Sequence, residues 1–163
     1  MLKLVTFPNP TLKKTAQPWD FEKDTGAEEL EVSMVQLMIE SNGIGLAGNQ
    51  VGLLKRVFAI RLKDRVPFCM FNPRVVEYGA YQIESEEGCL SFPDLFIPVK
   101  RHDAITAEYF DRQGNKCIIE LNDIDARCFL HELDHLNGVC FTDSLSTLKL
   151  AMIRKRQQKK KRK

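Results

Sequence analysis

The sequence has no apolar run near the roughly 20 residues that a membrane-spanning helix needs, so no membrane association is expected. Its first residues, Met1-Leu2-Lys3-Leu4-Val5-Thr6-Phe7-Pro8, lack an apolar core followed by a small-residue cleavage site, and they are not Arg- or Ser-rich. They read as the start of a mature cytoplasmic protein. No CxxC pair occurs. The five cysteines, Cys69, Cys89, Cys117, Cys128 and Cys140, are odd in number and four lie in apolar surroundings, which argues against a disulfide framework and for a reducing compartment. There are no internal repeats. Histidine is scarce, at three residues in the whole chain, so the positions of those three matter.

A chain of 163 residues with 44% apolar and 28% charged side chains is one soluble domain's worth. The net charge of +2 conceals an asymmetry. Residues 154–163 read RKRQQKKKRK, eight basic residues in ten, and the remainder carries 16 basic against 22 acidic residues, near −6. A mildly acidic body, residues 1–150, is therefore expected to carry a basic tail, residues 151–163.

Residues 1–20 contain Pro8, Pro10 and Pro18, which predict an irregular arm. From about 25 to 41, Leu30, Met34, Leu37 and Met38 recur at helical spacing behind acidic Glu28, Glu29 and Glu31, and Asn42-Gly43 closes the segment. Gly43-Ile44-Gly45-Leu46-Ala47-Gly48-Asn49-Gln50-Val51-Gly52 follows, with four glycines in ten residues. Such a backbone can approach a ligand closely. It lacks the GK[ST] ending of a phosphate loop, and no clear strand and helix flank it. Residues 56–61 and 66–73 read as strands, the second closed by a turn at Pro73, and 75–83 as a further strand. Residues 86–93 read as a polar loop around Cys89. Residues 104–110 and 116–121 read as a hairpin turned by Asp111-Arg112-Gln113-Gly114-Asn115. A helix is predicted from about 124 to 136, ended by Asn137-Gly138, and a last helix from 145 into the tail. Runs of strands followed by one central helix indicate an α+β fold.

Within that penultimate helix stands His131-Glu132-Leu133-Asp134-His135, the H-E-x-x-H arrangement. Residues four apart share a helix face, so both imidazoles can reach one metal ion while Glu132 handles a proton beside it. A catalytic site of this kind needs a third ligand. The position of a third histidine in the extended HExxHxxGxxH pattern holds Phe141, and no glutamate follows Glu132. His102 lies in a charged stretch expected to face water. Cys128, three residues before His131, would crowd three ligands onto one helix face. Cys89 alone occupies a polar segment framed by glycine and proline, which favours it among these alternatives.

Three segments, Gly43-Ile44-Gly45-Leu46-Ala47-Gly48-Asn49-Gln50, Glu87-Gly88-Cys89-Leu90-Ser91 and His131-Glu132-Leu133-Asp134-His135, in this order and at these separations, resemble those of peptide deformylases. The resemblance extends from about residue 40 to 145. It implies antiparallel sheets around a central HExxH-bearing helix, with an N-terminal and a C-terminal helix. It also implies a metal held by Cys89, His131 and His135, normally iron(II), with zinc, nickel or cobalt able to replace it. The implied reaction is hydrolytic removal of the N-formyl group from the formylmethionine of new polypeptides, releasing formate. Glu132, the Gln50 side chain and the Leu90 backbone N–H are the implied catalytic groups. Ile44, Gly45, Gly88, Arg127 and Cys128 are the implied substrate contacts. The basic tail reads either as a solvated, disordered end or, as the resemblance implies, as a segment that docks on ribosomal RNA through counterion release.

Some positions depart from the family's pattern. Gly48 replaces an alanine, which predicts a looser loop. Leu130 replaces a glutamine, a packing change. Arg127 replaces an aliphatic residue of the methionine pocket, and its stem is expected to line that pocket while the guanidinium reaches water. Phe96 replaces an arginine that some relatives place near later substrate residues. Glu87 and Arg101 are expected to pair and hold the cysteine segment, and Asp134 to be either solvated or an anchor. A metallopeptidase of another class is disfavoured by the missing third histidine or glutamate, and a catalytically silent metal- or RNA-binding module by the intact Glu132 and Gln50.

Overall fold

The structure, a computed structural model, describes residues 2–161, with the side chains of residues 154 and 156–161 excepted. Most of the basic tail's side chains therefore lie outside the described residues. Helix α1 (Ala27–Glu40) is followed by strands β1 (Gly45–Ala47), β2 (Val57–Ile60), β3 (Phe68–Tyr78), β4 (Gln82–Cys89), β5 (Phe92–His102), β6 (Ala104–Phe110) and β7 (Lys116–Asn122). Helices α2 (Asp123–Leu136) and α3 (Thr147–Lys161) complete the chain. This is the expected α+β architecture. One antiparallel sheet has the order β1-β2-β3-β6-β7, and β4-β5 form a separate antiparallel hairpin.

Side-chain alternation along β2 and β3 builds two cores. Phe58, Ile60 and Met70 face α2, where Phe129 meets Phe58 edge-on at 5.3 Å between ring centres. Val57, Ala59, Cys69 and Phe71 face the other way, onto Met34 and Met38 of α1. The β4–β5 hairpin covers the far side of α2, so the helix is buried continuously from Ala126 to Glu132. A helix enclosed on both sides suits a sequence in which apolar residues and histidines alternate around its circumference. Gly138, at φ 73°, ends it in the left-handed region. Ala16 of the arm donates to the Leu136 carbonyl, satisfying part of the helix's C-terminal turn.

Two strand boundaries differ from expectation. The turn expected at Pro73 is absent: β3 runs on to Tyr78. A register shift between Phe71 and Arg74 absorbs the proline, with Asn72 at φ 48° exchanging two hydrogen bonds with the Trp19 backbone. The strand expected at 75–83 is therefore the end of β3, then a turn, then the start of β4. The polar loop expected at 86–93 is instead the tip of the β4–β5 hairpin, turned by Leu90 and Ser91 alone. The α3 helix begins at Thr147 and packs Leu150 and Ile153 toward Phe92, Leu95 and Ile97 of β5.

Gly48 does not loosen its loop. A β-carbon there would lie 2.8 Å from the carbonyl oxygens of both Leu53 and Lys55, so the backbone is packed too closely for any side chain. Leu130 is buried in the core against α2's neighbours, in keeping with a packing change.

Candidate active site

Helix α2 presents His131 and His135 one turn apart, with ring centres 4.9 Å from each other. Cys89, the last residue of β4, brings its sulfur to 3.2 Å from His135 Nε2. The three ligand atoms of Cys89, His131 and His135 all lie within 4.8 Å of one another, the one such group found among the described residues. His102 stands elsewhere: its Nδ1 meets the Gly79 carbonyl at 2.8 Å and its Nε2 meets Gln82. Cys128 lines the cavity with its sulfur 3.4 Å from the Ile44 carbonyl, outside the ligand group.

The donor set fits a divalent ion. Glu87 Oε2 accepts from His131 Nδ1 at 2.9 Å, which fixes the tautomer and leaves Nε2 for the cysteine side. Burial lowers the His131 pKa, but hydrogen bonds to Cys89 and Glu87 outweigh it and raise it to about 10. Burial and the neighbouring His131 hold His135 well below its ordinary value. Glu132 Oε2 and His135 Nδ1 are buried without a protein partner. Burial raises the Glu132 pKa to about 7, against the lowering influence of His131 and Arg101.

Glu87 is the hub beneath this cluster. Arg101 grips it through Nε at 2.5 Å and Nη2 at 3.0 Å, and reaches Asp134 at 2.8 Å. Asp134 is therefore a half-exposed anchor. The expected Glu87–Arg101 pair is present, and it ties the hairpin to the helix. Burial pushes the Glu87 pKa up, but the bonds from His131 and Arg101 prevail and hold it at about 2.

Arg127 corrects the sequence expectation. Its guanidinium does not reach water. It donates to Glu87 Oε1 at 2.8 Å, to the Val99 carbonyl at 2.9 Å and to the Ile83 carbonyl at 2.7 Å, and the residue is 9% exposed. Carboxylate and carbonyl acceptors are available under the hairpin, so the side chain turns inward rather than snorkelling.

A cavity of about 590 Å³ opens beside the ligand group, between the Gly43–Gly45 stretch and the hairpin tip. Ile44, Gly45, Gly88, Arg127 and Cys128 all line it, as do Gln50, Leu90 and Glu132. A β-carbon on Gly45 would collide with the Glu132 carboxylate and with the Cys128 sulfur, so the glycine is demanded by the helix behind it. Phe96 is half-exposed at the mouth. Gln50 is 1% exposed; its Oε1 accepts from Ala47 N at 2.8 Å, and its Nε2 lies 3.4 Å from Cys89 Sγ and 3.1 Å from Ser91 Oγ. Sequence reasoning assigned no role to Ser91. It missed the Glu87–His131 bond too, although Glu87 and Cys89, two apart on a strand, must share a face.

The family model described as polypeptide deformylase matches residues 1–151. The chain belongs to the peptide deformylase family. It is 40% identical to the peptide deformylase of Nitrosococcus oceani over 164 residues, covering 99% of this chain and 97% of that one. It is 38% identical to the peptide deformylase of Rhizobium meliloti, covering 94% and 90%. The crystal structure of a peptide deformylase from Legionella pneumophila superposes with a TM-score of 0.87 at 34% identity, covering 99% of this chain and 96% of the other. As a peptide deformylase, the chain is a hydrolase that removes the formyl group from N-terminal formylmethionine. No described helix is long and apolar enough to cross a membrane.

Proposed function

We propose that Cys89, His131 and His135 hold the metal of this deformylase, iron(II) in the cell, with zinc, nickel or cobalt as competent replacements. The observation that carries this reading is the convergence of one sulfur and two imidazoles on a point flanked by an unpartnered, buried Glu132 carboxylate oxygen. A divalent ion bound there would supply Lewis acidity, making water acidic enough to give up a proton near neutral pH.

The chain's own residues do the rest. Glu132, a carboxylate with pKa near neutrality, takes a proton from the attacking water and later passes it to the departing amine. Negative charge gathers on the formyl oxygen as its carbon becomes tetrahedral. Gln50 Nε2–H and the Leu90 N–H donate to that oxygen. Among the described strands β1 pairs with β2 alone, and an extended peptide would lie along its other edge at Ile44 and Gly45, like an added strand. Gly88 lines the opposite wall. The methionine side chain enters the cavity against Ile44, Cys128 and the Arg127 stem. Replacing Cys89 with alanine is expected to remove the metal from folded protein; full metal content by elemental analysis would defeat this ligand set.

The catalytic unit is residues 1–150, and the enzyme works in the cytoplasm on N-formylated nascent peptides. Residues 151–163 are proposed to dock on ribosomal RNA. Exposed Leu148, Met152 and Lys155 on α3 support a contact surface there. Eight cations at 154–163 should make ribosome co-sedimentation fall steeply with salt. Removing residues 154–163 is expected to abolish it, and equal binding by the shortened chain would end the idea.

A further inference from the structure

The N-terminal arm reaches the site through backbone groups. Val5 N–H donates to the Gln50 carbonyl at 2.7 Å, and Phe7 N–H donates to the Ser91 carbonyl at 2.9 Å. The arm thus stitches the turn that carries Gln50 to the hairpin tip that carries Cys89 and Leu90. Between these stitches lies Ser91, fully buried, with its hydroxyl 2.7 Å from the Val5 carbonyl oxygen and 3.1 Å from Gln50 Nε2.

The direction of each bond follows from what the groups can do. A carbonyl only accepts, so the single hydroxyl proton of Ser91 goes to Val5. The hydroxyl can then only accept from Gln50, which requires the amide nitrogen on that side. At the other end of the carboxamide, Ala47 N–H can only donate, which requires the amide oxygen there. Turning the carboxamide over would set two donors against each other at Ala47 and two acceptors against each other at Ser91. Both clashes would be buried, where an unpaired polar group costs most. The remaining Nε2 proton is left for the Cys89 side, where the nitrogen stands 3.4 Å from the sulfur.

We infer that the arm, through the Val5 carbonyl and the Ser91 hydroxyl, is a positioning device that holds the Gln50 carboxamide with its second N–H on the Cys89 side of the site, where the reacting carbonyl would compete with the sulfur for it. This rests on the reading of Gln50 as an oxyanion donor. Ser91 touches neither substrate nor metal in this scheme; it acts by preventing rotation of the Gln50 amide.

The test is a double-mutant cycle on metal-loaded enzyme with formyl-Met-Ala-Ser, together with metal content and thermal melting. Gln50→Ala is expected to lower kcat by about 100-fold, as loss of one oxyanion donor does. Ser91→Ala is expected to lower kcat by about 10-fold with KM and metal content nearly unchanged, because a misoriented donor forfeits part of the same stabilisation. In the Gln50→Ala background, Ser91→Ala should cost nothing further. Wild-type kcat for Ser91→Ala, or a loss that multiplies in full on Gln50→Ala, would overturn the positioning role. Wild-type kcat for Gln50→Ala would overturn the oxyanion reading and the inference with it. Should Ser91→Ala fail to fold, the same cycle with Ser91→Cys, whose thiol fills the space but accepts weakly, carries the same expectation.

Discussion

Glu132→Ala is expected to lower kcat by about 10²- to 10⁴-fold, the range for removal of a positioned proton-transfer group, while the metal stays bound. Two observations favour that proposed role over a place in the ligand set. It is not one of the three groups whose donor atoms converge, and one of its oxygens is buried without a protein partner. Its pKa also suits the task. Burial raises it to about 7 in the protein alone, and a cation held by the adjacent histidines will draw it lower. A base must be deprotonated to act, so kcat/KM should rise with pH through this pKa and level off above it. The acid limb should therefore lie below pH 7. A variant at Glu132 that kept wild-type turnover, or an acid limb well above 7, would remove it from the mechanism.

Glu87→Ala is expected to destabilise the folded protein by about 3–5 kcal/mol, because it strips the shared partner from charges buried beneath the site. Arg101 and Arg127 both direct guanidinium donors at Glu87, and His131 is oriented by it. With alanine there, Arg101 keeps the half-exposed Asp134 and Arg127 keeps two backbone carbonyls among the described residues. The loss should also reach metal affinity, since ligand-orienting partners of this kind typically contribute about 10- to 100-fold. Chemical denaturation and metal titration read the two effects separately. A change under 1 kcal/mol, roughly the size of a surface ion pair, would show that the hub contributes little. The carboxylate's own titration has a defined sign. Its pKa is depressed from 4.5 to about 2, so its stabilisation is present above pH 4.5 and is lost as pH falls toward 2.

The parts of this molecule that were legible in the sequence are those with a local signature. Helix α2 declares itself through the four-residue spacing of His131 and His135, and the β6–β7 hairpin through Asp111 to Asn115. Cys89 stood out among the cysteines because its neighbours are polar. Strand β4 was hidden because Ile83, Glu84, Ser85 and Glu86 are all exposed, leaving no alternation to see. Strand β3 was cut short at Pro73 because the compensating bulge depends on Asn72 meeting Trp19, 53 residues away. Arg127 illustrates the same limit at the site. Its helix position predicts a side chain near the cavity, but its acceptors, Ile83, Glu87 and Val99, belong to a hairpin placed by tertiary folding. Ser91 matters through a backbone carbonyl 86 residues away, which no side-chain pattern records.

The most direct measurement is formate release from formyl-Met-Ala-Ser by anaerobically purified protein, read against metal content for the wild type and for Glu132→Ala. The wild type should carry one ion per chain and release formate, and Glu132→Ala should carry the same ion and release almost none. Formate release by metal-free protein, or undiminished release by Glu132→Ala, would contradict the account.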